Sequence, residues 1–190
     1  MPTRHLILAS ASPRRLDLLR ATGLDPEVRI PDIDESPLPG EDPTAMVERL
    51  ACAKRDAVLA SITDGVDRRV VAADTVVVLD GVVLGKPGTP GTATAMLSRL
   101  SGRTHHVVTG VAVSGPADTA STTVSTEVTW RALSSAEIAT YVATGEPLDK
   151  AGGYGIQGGG ANFVTSLIGS RDNVIGLPVT TALDLLARVS

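Results

Sequence analysis

The 190-residue sequence contains few aromatic residues and a single cysteine. Phe, Trp and Tyr make up 2% of the chain, so we expect a core built from Val, Leu, Ile and Ala. The scarcity of aromatics and the net charge of −4 argue against a general nucleic-acid-binding protein, which needs a basic face and stacking platforms. The lone Cys52 excludes an internal disulfide and a cysteine-rich zinc site. We interpret it as a small buried apolar residue rather than a nucleophile.

Long apolar runs are also missing. No run approaches the roughly 18 residues of a membrane span, and the first apolar stretch is too short for a signal peptide. The sequence therefore predicts a cytoplasmic protein whose partners include neither a membrane nor nucleic acid. The hydrophobic fraction of 43% and the charged fraction of 20% are typical of a globular chain. We expect a single domain over residues 1–190.

Strand and helix patterns alternate along the chain and predict one α/β domain with a mixed sheet. The apolar stretch 69–79 reads as a central strand covered on both faces, and Asp80-Gly81 reads as a hairpin turn into 82–84. Glu137 stands where a capping box places it after Ser134. The other predicted elements are strands over 6–9, 104–113, 121–130 and 163–168, helices over 13–23, 44–62, 92–100, 134–143 and from 178, and loops over 31–43, 113–124 and 145–160.

Two arginines stand where a helix disfavours them. Ser12 and Pro13 predict a helix start, so Arg14 and Arg15 fall in a first turn whose unsatisfied N–H groups and macrodipole repel cations. A bound anion would satisfy the N–H groups and both guanidinium groups. Two solvated arginines that tolerate a small cost are the alternative interpretation.

Lysine is rare in a chain that otherwise uses arginine. Of 17 basic residues only three are lysines, namely Lys54, Lys86 and Lys150. A compact ammonium suits a phosphate approached by a point charge, so Lys54 and Lys86 are candidate phosphate ligands, and Lys150 is equally consistent with chance placement.

Asp74 lies inside the most apolar strand pattern of the protein. A buried carboxylate is costly unless a cation or a metal pairs with it, so Asp74 is a candidate metal ligand or general base. A strand-end Asp that caps a loop is the alternative. Glu35, in an acidic loop that could equally be solvated, could bring a second carboxylate to the same Mg²⁺ or Mn²⁺ ion.

Two further patterns have no assigned chemistry. Residues 153–158 match G-x-G-x-x-G but lack the preceding strand of a dinucleotide site. We expect these glycines to let the backbone pass close to a ligand or another chain. The adjacent His105 and His106 point to opposite faces of a predicted strand, match no metal-binding spacing and are interpreted as structural.

An ordered set of short motifs resembles the Maf proteins, nucleoside triphosphate pyrophosphatases that were once called septum-formation proteins. The resemblance covers nearly the whole chain, from residue 6 to about 186. Its motifs are Ser10-Ala-Ser-Pro-Arg-Arg15, Asp34-Glu-Ser36, Ala53-Lys54, Ala73-Asp-Thr75, Leu84-Gly-Lys-Pro87, Leu100-Ser-Gly102, His106-Val-Val-Thr-Gly110, Asp149-Lys-Ala-Gly-Gly-Tyr-Gly-Ile-Gln-Gly158 and Gly176-Leu-Pro178.

The resemblance implies a fold and a reaction. The fold is a twisted mixed β-sheet flanked by helices, with two lobes around a cleft as in the inosine triphosphate pyrophosphatases, often as a homodimer. The reaction is hydrolysis of a nucleoside triphosphate to the monophosphate and pyrophosphate with a divalent metal. Asp74 is the implied proton acceptor. The implied metal ligands are Asp74 and Glu35. The implied phosphate-binding residues are Ser10, Ser12, Arg14, Arg15, Lys54 and Lys86.

The resemblance also implies a substrate branch. Arg14, Thr75 and Gln157 match three specificity positions of the branch that acts on dTTP and UTP, whereas the branch acting on 7-methyl-GTP tends to carry Trp, Gln and Glu. A neutral Gln amide suits the acceptor–donor–acceptor edge of uracil or thymine. A pyrophosphatase of other nucleotides, such as 7-methyl-GTP, and a non-catalytic nucleotide-binding regulator of septum formation remain the alternatives.

Overall fold

The computed structural model describes residues 6–63, 68–116 and 118–189. Within them a mixed sheet has the strand order β2-β1-β3-β5-β6-β7, with β4 paired to β3. Strand β1 is parallel to β2 and β3, whereas β3 and β4 are antiparallel, as are β6 and β7. This confirms the predicted mixed α/β sheet. The strands are β1 (Leu6–Ala9), β2 (Glu27–Arg29), β3 (Arg69–Leu79), β4 (Val82–Leu84), β5 (Thr104–Ser114), β6 (Thr119–Trp130) and β7 (Val164–Ile168).

The helices begin at local capping signals. Ser134 and Glu137 form the predicted capping box, and the Asp42 side chain accepts from two N–H groups of the first turn that follows it. Ser12 holds the N-cap position, but its side chain makes no capping bond. No described helix combines the length and apolar character needed to cross a bilayer. The helices are α1 (Pro13–Arg20), α2 (Pro43–Ala60), α3 (Pro90–Leu100), α4 (Ser135–Ala143), α5 (Arg171–Ile175) and α6 (Val179–Arg188).

Several elements differ from the sequence-based expectations. Strand β2 and helix α5 were not predicted, because three and five residues are too few to show a hydrophobic period. The predicted loop over 145–160 contains short 3-10 segments. The predicted loop over 113–124 is confined to the link between β5 and β6. Cys52 is half-buried rather than buried.

The described residues form two compact units. The first lies within Met1–Asp74, Thr109–Val124 and Gly176–Ser190, and the second within Thr75–Val108 and Ser125–Ile175. In the first unit both faces of β3 are covered, as predicted. Val71 and Ala73 pack in one aliphatic cluster with residues of β1 and α6, and Val70 and Ala72 pack in another with Val58 of α2.

The core of the second unit is mainly aliphatic, as expected, but it also contains an aromatic cluster. The four aromatic residues of the chain pack there, Trp130 with its ring centroid 4.7 Å from Tyr154 and 5.2 Å from Phe163. Tyr141 contacts Phe163 edge-on at 5.0 Å. Edge-to-face pairs of this kind stabilise beyond simple area burial. Composition therefore indicated the amount of aromatic surface but not its concentration in one unit.

His105 adjoins this aromatic cluster and is buried, whereas His106 is exposed, as the strand alternation predicts. The Nε2 atom of His105 is 2.8 Å from the Tyr154 hydroxyl. Burial, with a smaller effect of His106, lowers the pKa of His105 to about 4. The ring is therefore neutral in the folded protein at neutral pH.

We expect the free energy of unfolding to fall as the pH drops from about 6.5 to about 4. In this window the unfolded chain protonates His105 and the folded chain does not, so acid favours unfolding. The loss should reach about 3 kcal/mol near pH 4 and is measurable by urea denaturation. His105→Phe should lack this pH dependence and His106→Gln should keep it. An unchanged slope in His105→Phe would contradict the assignment.

Gly110 sets the approach of α2 to β5 in the first unit. A Cβ at this position would lie 2.2 Å from the Val47 carbonyl oxygen and 2.7 Å from the Glu48 nitrogen. The helix backbone therefore packs directly on the strand, with no room for a side chain. This contact gives the glycine of the His106–Gly110 motif a structural reason.

We expect Gly110→Ala to lower the free energy of unfolding by about 1–3 kcal/mol, because backbone atoms must move to admit the methyl group. Gly91→Ala in α3 is the matched control, since no atom of the described residues lies within 4 Å of its Cβ position. Chemical denaturation of both variants measures the difference. Equal stability of the two would show that β5 does not constrain α2 in this way.

Candidate functional site

A buried lysine joins two carboxylates in the first unit. The Nζ atom of Lys54, on α2, lies 2.6 Å from Asp74 Oδ1 and 2.8 Å from Glu35 Oε1. Lys54 and Asp74 are 6% and 8% exposed, whereas the Glu35 side chain is 55% exposed. One ammonium thus contacts a buried and a solvent-facing carboxylate.

Local periodicity explains how Lys54 and Asp74 meet. Val70, Ala72 and Asp74 alternate onto one face of β3, the face on which Val58 of α2 packs. Lys54 precedes Val58 by one helical turn and so shares its side of α2. The apolar contact that docks the helix therefore carries the ammonium to the carboxylate.

An arginine–carboxylate pair holds the loop that carries Glu35. Arg49 Nε and Nη2 bind the two carboxylate oxygens of Glu41 at 2.5 and 2.7 Å, and Nη2 also donates to the Ser36 carbonyl at 3.2 Å. The Arg49 bond and the Leu38 N–H lower the pKa of Glu41 to about 2. Sequence reasoning missed this pair, because an arginine in a helix and a glutamate outside it form no motif.

The start of α1 is organised around Ser10 and Arg15. The Ser10 hydroxyl accepts from Ser12 N at 3.1 Å and from Arg15 Nη1 at 3.2 Å, and Arg15 Nε donates to the Gly176 carbonyl at 2.7 Å. Part of the Arg15 guanidinium is thus engaged by the protein rather than directed wholly at an anion. Arg14 is half-buried and has no side-chain hydrogen bond or ion pair with the described part of the chain.

Charge complementarity links Arg15 to the lysine–carboxylate group. Burial lowers the pKa of Arg15 from its ordinary value, and the negative charges of Asp74 and Glu35 act in the opposite direction. The positive charge of Arg14 adds to the lowering. The first unit therefore gathers cations and carboxylates from β1–α1, the acidic loop, α2 and β3.

The carboxylates of this group fit a divalent cation. Asp74 Oδ1 and Glu35 Oε1 lie 2.6 and 2.8 Å from one ammonium nitrogen, so the two carboxylates converge on one position. No cluster of three or more His, Cys, Asp or Glu suited to a metal occurs among the described residues. Two carboxylates are nevertheless the usual protein contribution to Mg²⁺, whose other ligands are phosphate oxygens and water.

The other three candidate residues belong to the second unit. Thr75 follows Asp74 in β3, and Lys86 is exposed after β4. Gln157 is exposed on a turn between 3-10 segments. Neither Lys86 nor Gln157 has a side-chain hydrogen bond or ion pair with the described part of the chain.

The glycine-rich segment around Gln157 approaches its own chain closely. A Cβ on Gly158 would lie 2.3 Å from Glu146 Oε1, and one on Gly152 would lie 2.7 Å from a Val77 methyl group. Lys150 donates to the Glu146 carbonyl at 2.7 Å and to Asp149 at 2.8 Å, which gives it a structural role. The glycines thus make room for side chains of the same unit, and no strand directly precedes the G-x-G-x-x-G match.

Comparisons with known proteins place this chain in a family. A family model described as Maf-like protein matches residues 5–189. The chain is 52% identical over 186 residues to the dTTP/UTP pyrophosphatase of Moorella thermoacetica, covering 96% of this chain and 93% of that protein. It is 48% identical to the dTTP/UTP pyrophosphatase of Shewanella denitrificans, covering 95% and 94%. The match to the solved structure of the Staphylococcus aureus Ham1 protein covers 96% of this chain and 98% of that protein's chain, with 18% identity and a TM-score of 0.48. The chain belongs to the Maf-like protein family.

Proposed function

We propose that this chain is a nucleoside triphosphate pyrophosphatase that hydrolyses dTTP and UTP. The observation that carries the proposal is the buried Lys54–Asp74 pair with Glu35 on the same ammonium. The relatives named dTTP/UTP pyrophosphatase, at 44–52% identity, support the substrate class. The products are the nucleoside monophosphate and pyrophosphate.

Asp74 is the proposed proton acceptor. The oxygen of a water molecule attacks the α-phosphorus, the bond from that phosphorus to the α–β bridging oxygen breaks, and pyrophosphate leaves. The proton lost by the water passes to the Asp74 carboxylate. Lys54 Nζ donates to Asp74 Oδ1 at 2.6 Å and so holds the carboxylate in place.

Asp74 and Glu35 are the proposed ligands of a divalent cation, Mg²⁺ or Mn²⁺. When bound, such an ion neutralises phosphate charge and lowers the pKa of water. Glu35 sits on a loop held by Arg49 and Glu41, so its carboxylate is positioned before any ligand arrives.

Cations and N–H groups are the proposed partners of the phosphates. Arg14 and the first turn of α1, which has no side-chain cap, can donate to phosphate oxygens. Arg15 contributes charge and holds Ser10 in place for Ser12. Lys54 and Lys86 are the proposed ammonium partners. Arg14, Thr75 and Gln157 are the proposed base-selecting residues. We also propose that the protein is a homodimer located in the cytoplasm.

A substrate panel tests the function. We expect pyrophosphate release from dTTP and UTP with Mn²⁺ to exceed release from 7-methyl-GTP and ITP. Gln157→Glu should erode the preference for dTTP, because a carboxylate cannot donate to the carbonyl groups of the pyrimidine. Binding of dTTP without turnover would favour a nucleotide-binding regulator. An unchanged substrate profile in the variant would remove Gln157 from base selection.

A further inference from the structure

The turn that carries Gln157 is held by side chains of its own unit. Gly158 N donates to the Gly155 carbonyl at 3.1 Å, which closes a four-residue turn with Gln157 at its third position. Ile156 is buried beside it, and Arg171 Nη2 donates to its carbonyl at 3.3 Å. The Gln157 side chain is therefore exposed, whereas the backbone of its turn is held by hydrogen bonds and by the buried Ile156.

Tyr141 and Glu146 bind the turn on its two sides. Gly155 N donates to the Tyr141 hydroxyl at 3.1 Å, and Gly159 N donates to Glu146 Oε2 at 3.0 Å. The Tyr141 hydroxyl in turn donates to Glu146 Oε1 at 2.8 Å. Burial raises the pKa of Tyr141, so the hydroxyl keeps the proton that it donates. A continuous chain of hydrogen bonds thus runs from one end of the turn to the other.

Glycines in and beside this turn leave space for the side chains of Tyr141 and Glu146. A Cβ on Gly155 would lie 2.9 Å from Glu146 Oε1, and one on Gly158 would lie 2.3 Å from the same atom. A Cβ on Gly159 would lie 3.0 Å from the Tyr141 ring. The carboxylate therefore occupies the concave side of the turn, where a longer residue would displace it.

We propose that Tyr141 and Glu146 are positioning residues for base selection, because they set the backbone from which Gln157 presents its amide. This inference rests on the proposed function and extends it to residues that touch the turn rather than the nucleotide. Gln157 has no side-chain partner in the described part of the chain, so the placement of its backbone governs where its donor and acceptor point. A loosened turn should weaken discrimination between bases more than it weakens recognition of the triphosphate.

Two conservative variants test the inference. Tyr141→Phe removes the shared hydroxyl but keeps the ring that packs on Phe163, and Glu146→Gln keeps the shape but replaces one acceptor by a donor. Calorimetry with Mg²⁺ would compare the dissociation constants of the α,β-methylene analogues of dTTP and dGTP. We expect the affinity ratio in favour of the dTTP analogue to fall about tenfold in each variant, and the double variant to lose less than the sum.

Thr140→Val is the matched control, because its hydroxyl lies on the same helix and, within the described part of the chain, bonds only the Ala136 carbonyl. It should keep the wild-type ratio. An unchanged ratio in both test variants, or equal weakening of both analogues, would overturn the positioning role. If the wild type released no pyrophosphate, the proposed function would fail, while the binding ratio would still decide this inference. Failure of the wild type to bind either analogue would overturn both.

Discussion

Asp74→Asn should lower pyrophosphate release from dTTP by about 10²–10⁴-fold, the contribution expected of a general base. The amide keeps the shape of the carboxylate and can still accept a hydrogen bond from Lys54, so the fold should persist. It cannot take a proton from water, and its neutral oxygen is a weaker cation ligand. Initial rates with saturating dTTP and Mn²⁺ measure the effect.

Asp80→Asn is the control for this substitution. Asp80 has a φ of 52° in the β3–β4 turn, a conformation that Asn tolerates, and its carboxylate binds Arg103, which is not a proposed ligand. The control should keep the wild-type rate, and Asp74→Asn should still bind a non-hydrolysable dTTP analogue. An Asp74→Asn enzyme that retains a tenth or more of the rate would remove Asp74 from its proposed role.

Lys54→Met should lower the free energy of unfolding by about 3 kcal/mol or more, because it leaves the Asp74 carboxylate buried without its cation. The same change should reduce turnover, since the ammonium is also a proposed phosphate partner. Urea denaturation measures the first effect and pyrophosphate release the second. Combining Lys54→Met with Asp74→Asn should recover part of the stability, as expected for a directly coupled pair.

Two variants distinguish the effect of a buried ion pair on stability from the effect of an exposed one. Glu35→Gln removes the exposed carboxylate from the same lysine and should cost less than about 1 kcal/mol. Lys150→Met removes a lysine whose carboxylate partner, Asp149, is 71% exposed. If Lys54→Met cost no more stability than these two variants, the Lys54–Asp74 pair would not be the buried interaction described above.

The sequence predicted the regular elements well where their signals are local. Strand β3 has the predicted bounds, Asp80 and Gly81 form the predicted hairpin turn, and Ser134 with Glu137 forms the predicted capping box. Each of these signals is contained within a few neighbouring residues. The 3-10 segments after Gly145 were missed because segments of three to five residues are too short to show a hydrophobic period.

The candidate site was predictable as a set of residues but not as an arrangement. Asp74 stood out because a carboxylate inside an apolar strand needs a cation, but the sequence left open whether that cation was a metal or a side chain. The structure pairs it with Lys54 and places Glu35 on the same nitrogen. Arg15 was expected to face an anion, whereas two of its donors bind Ser10 and Gly176.

By itself, the amino-acid sequence determined which residues are unfavourable in their local surroundings unless a partner binds them. These are chiefly Asp74 within β3 and the arginines Arg14 and Arg15 in the first turn of α1. Only the tertiary structure decided the partners, because they come from segments far apart in the chain. Lys54 reaches Asp74 because an apolar stripe docks α2 on β3, and Glu146 reaches Gly159 because glycines leave room for it. Local patterns arise from neighbouring residues, whereas such pairings depend on how whole elements pack, which no short stretch of sequence encodes.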